Sequence, residues 1–349
     1  MTDKKRNMKN RNTILCLFLG TALLAGCAKE KTTNGNEDNK RYLEAWLQSR
    51  YPGATASGIG IYILDDQPGN GASFSGQDYI YAEYSTRDLD GNILSSTSKR
   101  TAQQLGTYNA SYYYGPAVLA SNTDNLQAGI EALLTGMRTG GTRTALIPNW
   151  LLTYNRYSSA ADYLRKVNAG NNTNTIYTLT LKEIIEDEAK WELDSLNRFI
   201  ARNAPDAVAV EDEEGLYYRQ ITAPTDTASF PKDTTIYINY IGRLLNGQVF
   251  DTTLKDTAKV YNIYNSSNSY EPVKISWAEE ATDIKMGTNS SSVIEGFAKT
   301  LFQMRSFEKG IGYFVSSKGY GNSGSGSTIP AYSPLIFEIE IVKATTESL

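Results

Sequence analysis

The sequence predicts an α+β protein made of two copies of one unit, each an antiparallel β-sheet wrapped on a short α-helix, with a helical linker between them. Three observations predict this. Strand-like runs dominate the chain, one strand-and-turn pattern occurs twice, and each half carries a single apolar helical face. A chain of 349 residues has room for two domains.

The chain opens with a basic leader, Lys4, Lys5, Arg6, Lys9 and Arg11, followed by a mostly apolar stretch from Ile14 to Ala25. That stretch is shorter than the ~20 apolar residues a membrane span needs, so residues 1–26 read as an export signal. It ends in Leu24-Ala25-Gly26-Cys27, which resembles the bacterial lipobox, where the cysteine is acylated and becomes the mature N-terminus. Residues 27–40 are polar without apolar periodicity and read as a flexible tether. A short helix over Arg41 to Arg50 follows, with Tyr42, Leu43, Trp46 and Leu47 on one face.

The repeat begins at Asp78. DYIYAEYSTRDLDGNIL, to Leu94, is echoed by TTIYINYIGRLLNGQVF from Thr234 to Phe250. Both strands reach a tyrosine, Tyr84 or Tyr240, and then a turn pair, Asp90-Gly91 or Asn246-Gly247, that supplies the positive φ of a tight hairpin. Leu126, Ile130, Leu133, Leu134 and Met137 then share one helical face, as do Ile294, Phe297, Ala298, Leu301 and Met304. Each half closes on a strand, Thr175 to Ile185 and Leu335 to Val342. The run Glu186-Asp187-Glu188 starts a linker helix over 186–203 that carries Trp191, Leu193, Leu196, Phe199 and Ile200. The units are thus 41–185 and 204–345, the second with an insertion at about 252–292 that bears Tyr261, Tyr264, Tyr270 and Trp277.

Composition narrows the chemistry. There is no histidine, Cys16 leaves with the signal, and Cys27 is assigned to lipid. A His-assisted nucleophile, a thiol nucleophile, a disulfide and the usual zinc sites are therefore excluded. The net charge of −4, with no clustered basic face, argues against nucleic acid as a partner. The 24 tyrosines read as solvated surface or as a glycan-binding face. The glycine-rich run Gly319 to Gly326 precedes no helix start and lacks the Lys-Ser/Thr pair of a phosphate cradle.

The second unit resembles the FKBP-type peptidyl-prolyl isomerases. The resemblance is carried by Tyr240-Ile241-Gly242-Arg243, Asn246 to Thr252, Val293 to Phe297, Met304, Lys318-Gly319-Tyr320-Gly321, Ile329-Pro330 and Leu335 to Glu340, all in the family's order. It implies an aromatic pocket with Phe297 as its floor, in place of the family's more usual tryptophan. Tyr240, Phe250 and Phe337 would form the walls, Val293 and Ile294 the rim, and Ile329 one closing side. The Ile294 backbone N–H and the Tyr320 hydroxyl would hold substrate carbonyls, and Asp251 would sit against Tyr240 and the twisting carbonyl. From spacing alone, Ile294, Phe297, Leu301 and Phe337 read equally well as core, and Asp251 as a turn or cap residue. The segment at 252–292 adds strands to the sheet or a flap over the pocket.

The first unit resembles the same family more faintly. Tyr84 matches Tyr240, but Leu94-Ser95 stands for Phe250-Asp251, Leu126-Gln127 for Val293-Ile294, Ile130 for Phe297, and about Leu152 for Tyr320. It reads as a degenerate, structural or binding module. The resemblance implies a prolyl isomerase that needs no cofactor or metal and acts on proline-containing polypeptides, in the C-terminal unit only. A non-catalytic chaperone or protein-binding lipoprotein is the alternative. The expected location is the cell envelope, lipid-anchored through Cys27, and by Lys29 the outer membrane, with no other membrane contact. The sequence leaves the oligomeric state open.

Overall fold

The computed structural model describes residues 35–344, so the signal segment, Cys27 and Lys29 lie outside the described residues. The first half runs α1 (Asn36–Arg50), β1 (Ala56–Ser57), β2 (Ile61–Gln67), β3 (Tyr79–Arg87), β4 (Ile93–Ser96), α2 (Lys99–Gln104), β5 (Ala117–Ala120), α3 (Ala128–Leu134), β6 (Thr142–Ile147), α4 (Ala160–Lys166) and β7 (Thr175–Ile185). After α5 (Glu188–Asn203) come β8 (Val208–Ala209), β9 (Leu216–Thr222), β10 (Thr235–Leu244), β11 (Val249–Thr252), α6 (Lys255–Val260), β12 (Val273–Ser276), β13 (Lys285–Met286), β14 (Ser291–Ser292), α7 (Glu295–Gln303), β15 (Lys309–Phe314) and β16 (Leu335–Val342). Both sheets are antiparallel, and the class is α+β. Among the described residues no helix is long and apolar enough to cross a membrane.

The two sheets share one topology. The first is ordered β1-β2-β6-β7-β3-β4, with β5 also on β3; the second runs β12-β10-β16-β15-β9-β8, with β11 also on β10 and β13-β14 added at the edge. Tyr84 lies opposite Leu179 in the first, and Tyr240 opposite Ile339 in the second. The hairpins match to the hydrogen bond. Asp88 N–H donates to Asn92 C=O at 3.0 Å, as Leu244 N–H does to Gln248 C=O at 3.0 Å. The left-handed position is held by the glycine alone (φ 95° at Gly91, 86° at Gly247), while Asp90 and Asn246 keep negative φ. The turn is therefore of the longer, bulged kind rather than the two-residue form.

A threonine clamp also recurs. Thr97 Oγ1 accepts the Tyr84 N–H at 3.1 Å, and Thr253 Oγ1 accepts the Tyr240 N–H at 2.9 Å. These bonds close the ladder beyond β4 and β11 and fix each tyrosine's backbone.

Each sheet packs its own core. In the first, Leu43 and Leu47 of α1 and Leu133 and Leu134 of α3 meet Ile61, Ile80, Leu146 and Leu181. In the second, Phe297 and Leu301 of α7 meet Ile238, Ile275, Phe314, Phe337 and Ile339. The far face of the second sheet is covered by α5, whose Leu196 and Ile200 bury Tyr313 and Ile336. The alternation of a strand explains both faces: Phe314 points to α7 and its neighbour Tyr313 to α5. The α5 start is capped by Asp187, which accepts the Lys190 N–H at 2.9 Å. Its Trp191 reaches back to the first half, donating to Glu183 at 2.6 Å.

Several sequence expectations are corrected. Helix α1 begins at Asn36 rather than Arg41, so the last residues of the stretch read as tether are helical. Asn36 is fully buried and its Nδ2 donates to the carbonyls of Leu164 and Val167 at 2.9 and 2.7 Å. A polar side chain that caps distant carbonyls leaves no apolar period to read. The apolar face over Leu126–Met137 spans a helix of only Ala128–Leu134, with Leu126 and Met137 buried just beyond its ends. Most of the segment at 252–292 has a counterpart in the first half. Helix α6 matches α2, and β12 pairs with β10 as β5 pairs with β3. The extra part is the stretch carrying β13 and β14.

Candidate active site

The nine predicted side chains line one cavity of about 320 Å³: Tyr240, Phe250, Asp251, Val293, Ile294, Phe297, Tyr320, Ile329 and Phe337. Central strand β10 supplies Tyr240 and the short hairpin partner β11 supplies Phe250 and Asp251. Helix α7 supplies Phe297, with Val293 and Ile294 at its entrance, and β16 supplies Phe337. Phe297, Phe337 and Ile329 are buried, Tyr240 nearly so, Phe250 and Tyr320 are half-buried, and Asp251 is exposed. The cavity is thus apolar at its base and open at one polar edge.

The rings form a connected cup. Phe297 meets Phe337 edge-to-face at 5.1 Å and 84°, Tyr240 meets Phe297 at 5.7 Å and 83°, and Phe250 meets Phe337 at 5.6 Å and 76°. Behind them Phe314 stacks on Phe337 at 5.8 Å. Each such pair contributes ~0.5–1.5 kcal/mol beyond area burial, so the cup is held by its own geometry.

Gly242 makes room for it. A Cβ there would lie 2.6 Å from the Phe250 ring and 3.1 Å from that of Phe337.

At the polar edge the Tyr240 hydroxyl donates to Asp251 at 2.7 Å, and Asp251 also accepts the Thr252 N–H at 2.9 Å. Burial first, and then the Asp251 charge, push the Tyr240 phenol far above its ordinary range, so it stays protonated. Burial raises Tyr320 too, with a smaller push from Asp251. Both are neutral donors at physiological pH. Ile294 is the N-cap of α7, so its N–H is outside the helical ladder and free of that duty.

Four further residues line the cavity that sequence reasoning did not name: Met286, Ser292, Ser325 and Thr328. Met286 and Ser292 come from the added β13–β14 stretch, which walls the cavity and leaves it open. Gly242 and Thr253 were missed as supports. Both could have been found by laying the halves over one another, since Thr97 matches Thr253, and Thr86 stands where Gly242 does.

The first half does not repeat this cavity. Thr86 is buried opposite Tyr177, as Gly242 is opposite Phe337. Leu94, at the Phe250 position, is 53% exposed. The shared 3-10 turns, Asn149–Leu151 and Ser316–Lys318, place Thr153 rather than Leu152 at the Tyr320 position. There the Thr153 carbonyl takes the Ala128 N–H at 2.8 Å, while Gln127 Nε2 donates to Leu152 C=O at 3.2 Å. The start of α3 is covered by its own chain.

Residues 227–342 match the model of a family described as FKBP-type peptidyl-prolyl cis-trans isomerase. This C-terminal segment belongs to that family. Similar proteins include a macrophage infectivity potentiator of Trypanosoma cruzi, 25% identical over 41% of this chain and 60% of the relative. Another is the peptidyl-prolyl cis-trans isomerase Mip of Chlamydia muridarum, 25% identical over 50% of this chain and 60% of that protein. The chain thus spans about 60% of the length of these curated relatives. A crystal structure of a peptidyl-prolyl cis-trans isomerase from Pseudomonas syringae aligns over 45% of this chain and 96% of that one, with 24% identity and a TM-score of 0.31.

Proposed function

We propose that the C-terminal FKBP-type domain is a peptidyl-prolyl cis-trans isomerase acting on X-Pro bonds of exported polypeptides. The observation that carries this reading is an aromatic-walled cavity, lined by all nine of these side chains, inside the family-matching segment. Rotation about the amide costs ~18–20 kcal/mol because resonance holds it planar. The twisted transition state carries less charge separation than the planar amide, so a dry aromatic cup favours it over the ground state. The proline ring enters against Phe297, between Tyr240, Phe250 and Phe337, with Val293 and Ile329 at the sides. The Ile294 N–H and the Tyr320 hydroxyl hold carbonyls of the chain. The Tyr240–Asp251 pair presents a fixed dipole toward the twisting carbonyl. No proton moves in any step.

The first half serves as a structural or binding module, a reading supported by its Thr86-filled register position and its covered α3 entrance. Anchoring through lipid on Cys27, in the outer membrane, completes the proposal. Replacing Cys27 with serine should move the protein from the membrane fraction to the soluble one, and unchanged fractionation refutes the anchor.

The activity is tested by adding the full chain to a protein whose refolding is limited by an X-Pro step, which takes tens to hundreds of seconds unaided. Acceleration is expected, falling at least several-fold in Phe250→Ala and Asp251→Ala with the circular dichroism spectrum unchanged. Wild-type acceleration in both variants ends the proposal.

A further inference from the structure

One wall of the cavity is a loop, and the loop is held from behind by the other half of the molecule. Residues 319–332 contribute Tyr320, Ser325, Thr328 and Ile329 to the cavity. The loop closes on itself through short-range backbone bonds: Gly324 N–H to Tyr320 C=O at 3.1 Å, Ser325 N–H to Ile329 C=O at 2.8 Å, Thr328 and Ile329 N–H to Ser325 C=O at 3.2 and 3.1 Å, and Tyr332 N–H to Gly321 C=O at 2.9 Å, with Gly319 and Gly321 N–H both on Ser316 C=O at its start. Three of its glycines are at positive φ, and so is Tyr332 (φ 54°), a conformation costing a non-glycine residue of order 1 kcal/mol. Ile329 is its buried apolar anchor in the second core. A segment outside any strand or helix, held by its own short-range bonds and one buried side chain, has a low local opening free energy.

The first half supplies the missing ties. The Tyr113 N–H donates to the Ser327 carbonyl at 2.8 Å, and the Tyr113 ring packs against the second core. The Tyr332 hydroxyl donates to that of Tyr79 at 3.1 Å, with the two rings edge-to-face at 5.3 Å. Tyr113 sits in a loop that both halves possess. Asn109 N–H donates to the Tyr114 hydroxyl at 3.0 Å and Tyr108 stacks on Tyr114; Asn265 N–H likewise donates to the Tyr270 hydroxyl at 2.9 Å and Tyr264 stacks on Tyr270. The copy in the second half carries Ser269 at the Tyr113 position. A large ring stands only in the copy that meets the cavity loop.

We propose that the N-terminal half is a brace for the catalytic cavity, with Tyr113 and Tyr79 as positioning residues that hold the 319–332 loop in its substrate-binding form. This rests on the isomerase reading of the site. The loop carries the Tyr320 hydroxyl, which donates to a substrate carbonyl, and the Ile329 wall, so loosening it taxes binding more than turnover.

The test uses the full chain and two readouts, steady-state kinetics on an X-Pro peptide and amide hydrogen exchange. Tyr113→Ala should raise KM by about three- to ten-fold with kcat within about two-fold. It should speed exchange at Ser325 and Ile329 by about ten-fold or more while Leu133 and Leu301 keep wild-type protection. Both Tyr113→Ala and Tyr113→Phe keep the backbone N–H to Ser327, so the ring is what they contrast. Tyr113→Phe, which loses only the hydroxyl with its bond to the Pro116 carbonyl, should restore both readouts. Tyr79→Phe, which deletes one hydroxyl, should shift both in the same direction by less, and gives the answer if Tyr113→Ala does not fold. Unchanged exchange in the loop overturns the brace, as does faster exchange spread evenly through both cores. A wild-type chain without isomerase activity refutes the isomerase reading instead, and the exchange data then judge the brace alone.

Discussion

Gly242 and Thr86 hold the same register position in the two halves, each opposite an aromatic residue of the neighbouring strand. A side chain at 242 would enter the space of the Phe250 ring, so the cup requires the glycine. A second pair of this kind lies before the last-but-one strand. Phe307 is left-handed at φ 58° and 42% exposed, whereas its counterpart Gly140 has φ 85°. Left-handed geometry costs a bulky L-residue ~1–2 kcal/mol, and glycine gives back ~0.5–1 kcal/mol through the freer unfolded chain. Phe307→Gly is therefore expected to stabilise the protein by about 0.5–1 kcal/mol, read as a higher urea midpoint at unchanged m-value; a lower midpoint contradicts the strain. At this scale the rings Tyr240, Phe250, Phe297 and Phe337 could be grouped only through the family resemblance, since spacing alone reads Phe297 and Phe337 equally well as core. Met286 and Ser292 were not legible, since nothing in an unpatterned stretch tells which residues fold back onto a distant helix entrance.

At the scale of elements, the closing strands β7 and β16 stood out as alternating runs with clear bounds. Helix ends were harder, because polar capping residues such as Asn36 carry no period. Helix α5 shows how an element can be tied by one buried polar contact. Glu192 is 3% exposed and accepts both the backbone N–H and the hydroxyl of Ser316, the latter at 2.7 Å. Burial raises its carboxyl pKa, and the two Ser316 bonds offset this only in part. The folded pKa lies above the unfolded one, so the contribution to stability is fully present below the ordinary glutamate range. It is lost as pH rises through the raised value. Glutamine keeps both contacts, its carbonyl accepting the N–H and its amide donating to the hydroxyl. Glu192→Gln should raise the thermal midpoint at pH 7 and leave it near wild type at pH 4; an equal shift at both pH values contradicts the burial argument.

At the scale of the whole molecule, the chain repeats one topology and keeps the cavity in one copy. The duplication was legible from two tyrosines and two turn glycines at matching spacing. What joins the copies was not: Tyr113 to Ser327, Tyr79 to Tyr332 and Trp191 to Glu183 are pairs from separate units with no shared period. The division of labour places all proposed catalysis on a cup that water leaves and a proline enters.

The most direct measurement is the exchange rate between cis and trans forms of an X-Pro peptide, followed by NMR with the full chain and with Gly242→Thr. The wild-type chain should accelerate exchange well beyond the uncatalysed rate, and the variant, folded but with Phe250 displaced, should lose at least about tenfold of that rate. An uncatalysed rate with wild type, or equal rates from both proteins, would contradict the account.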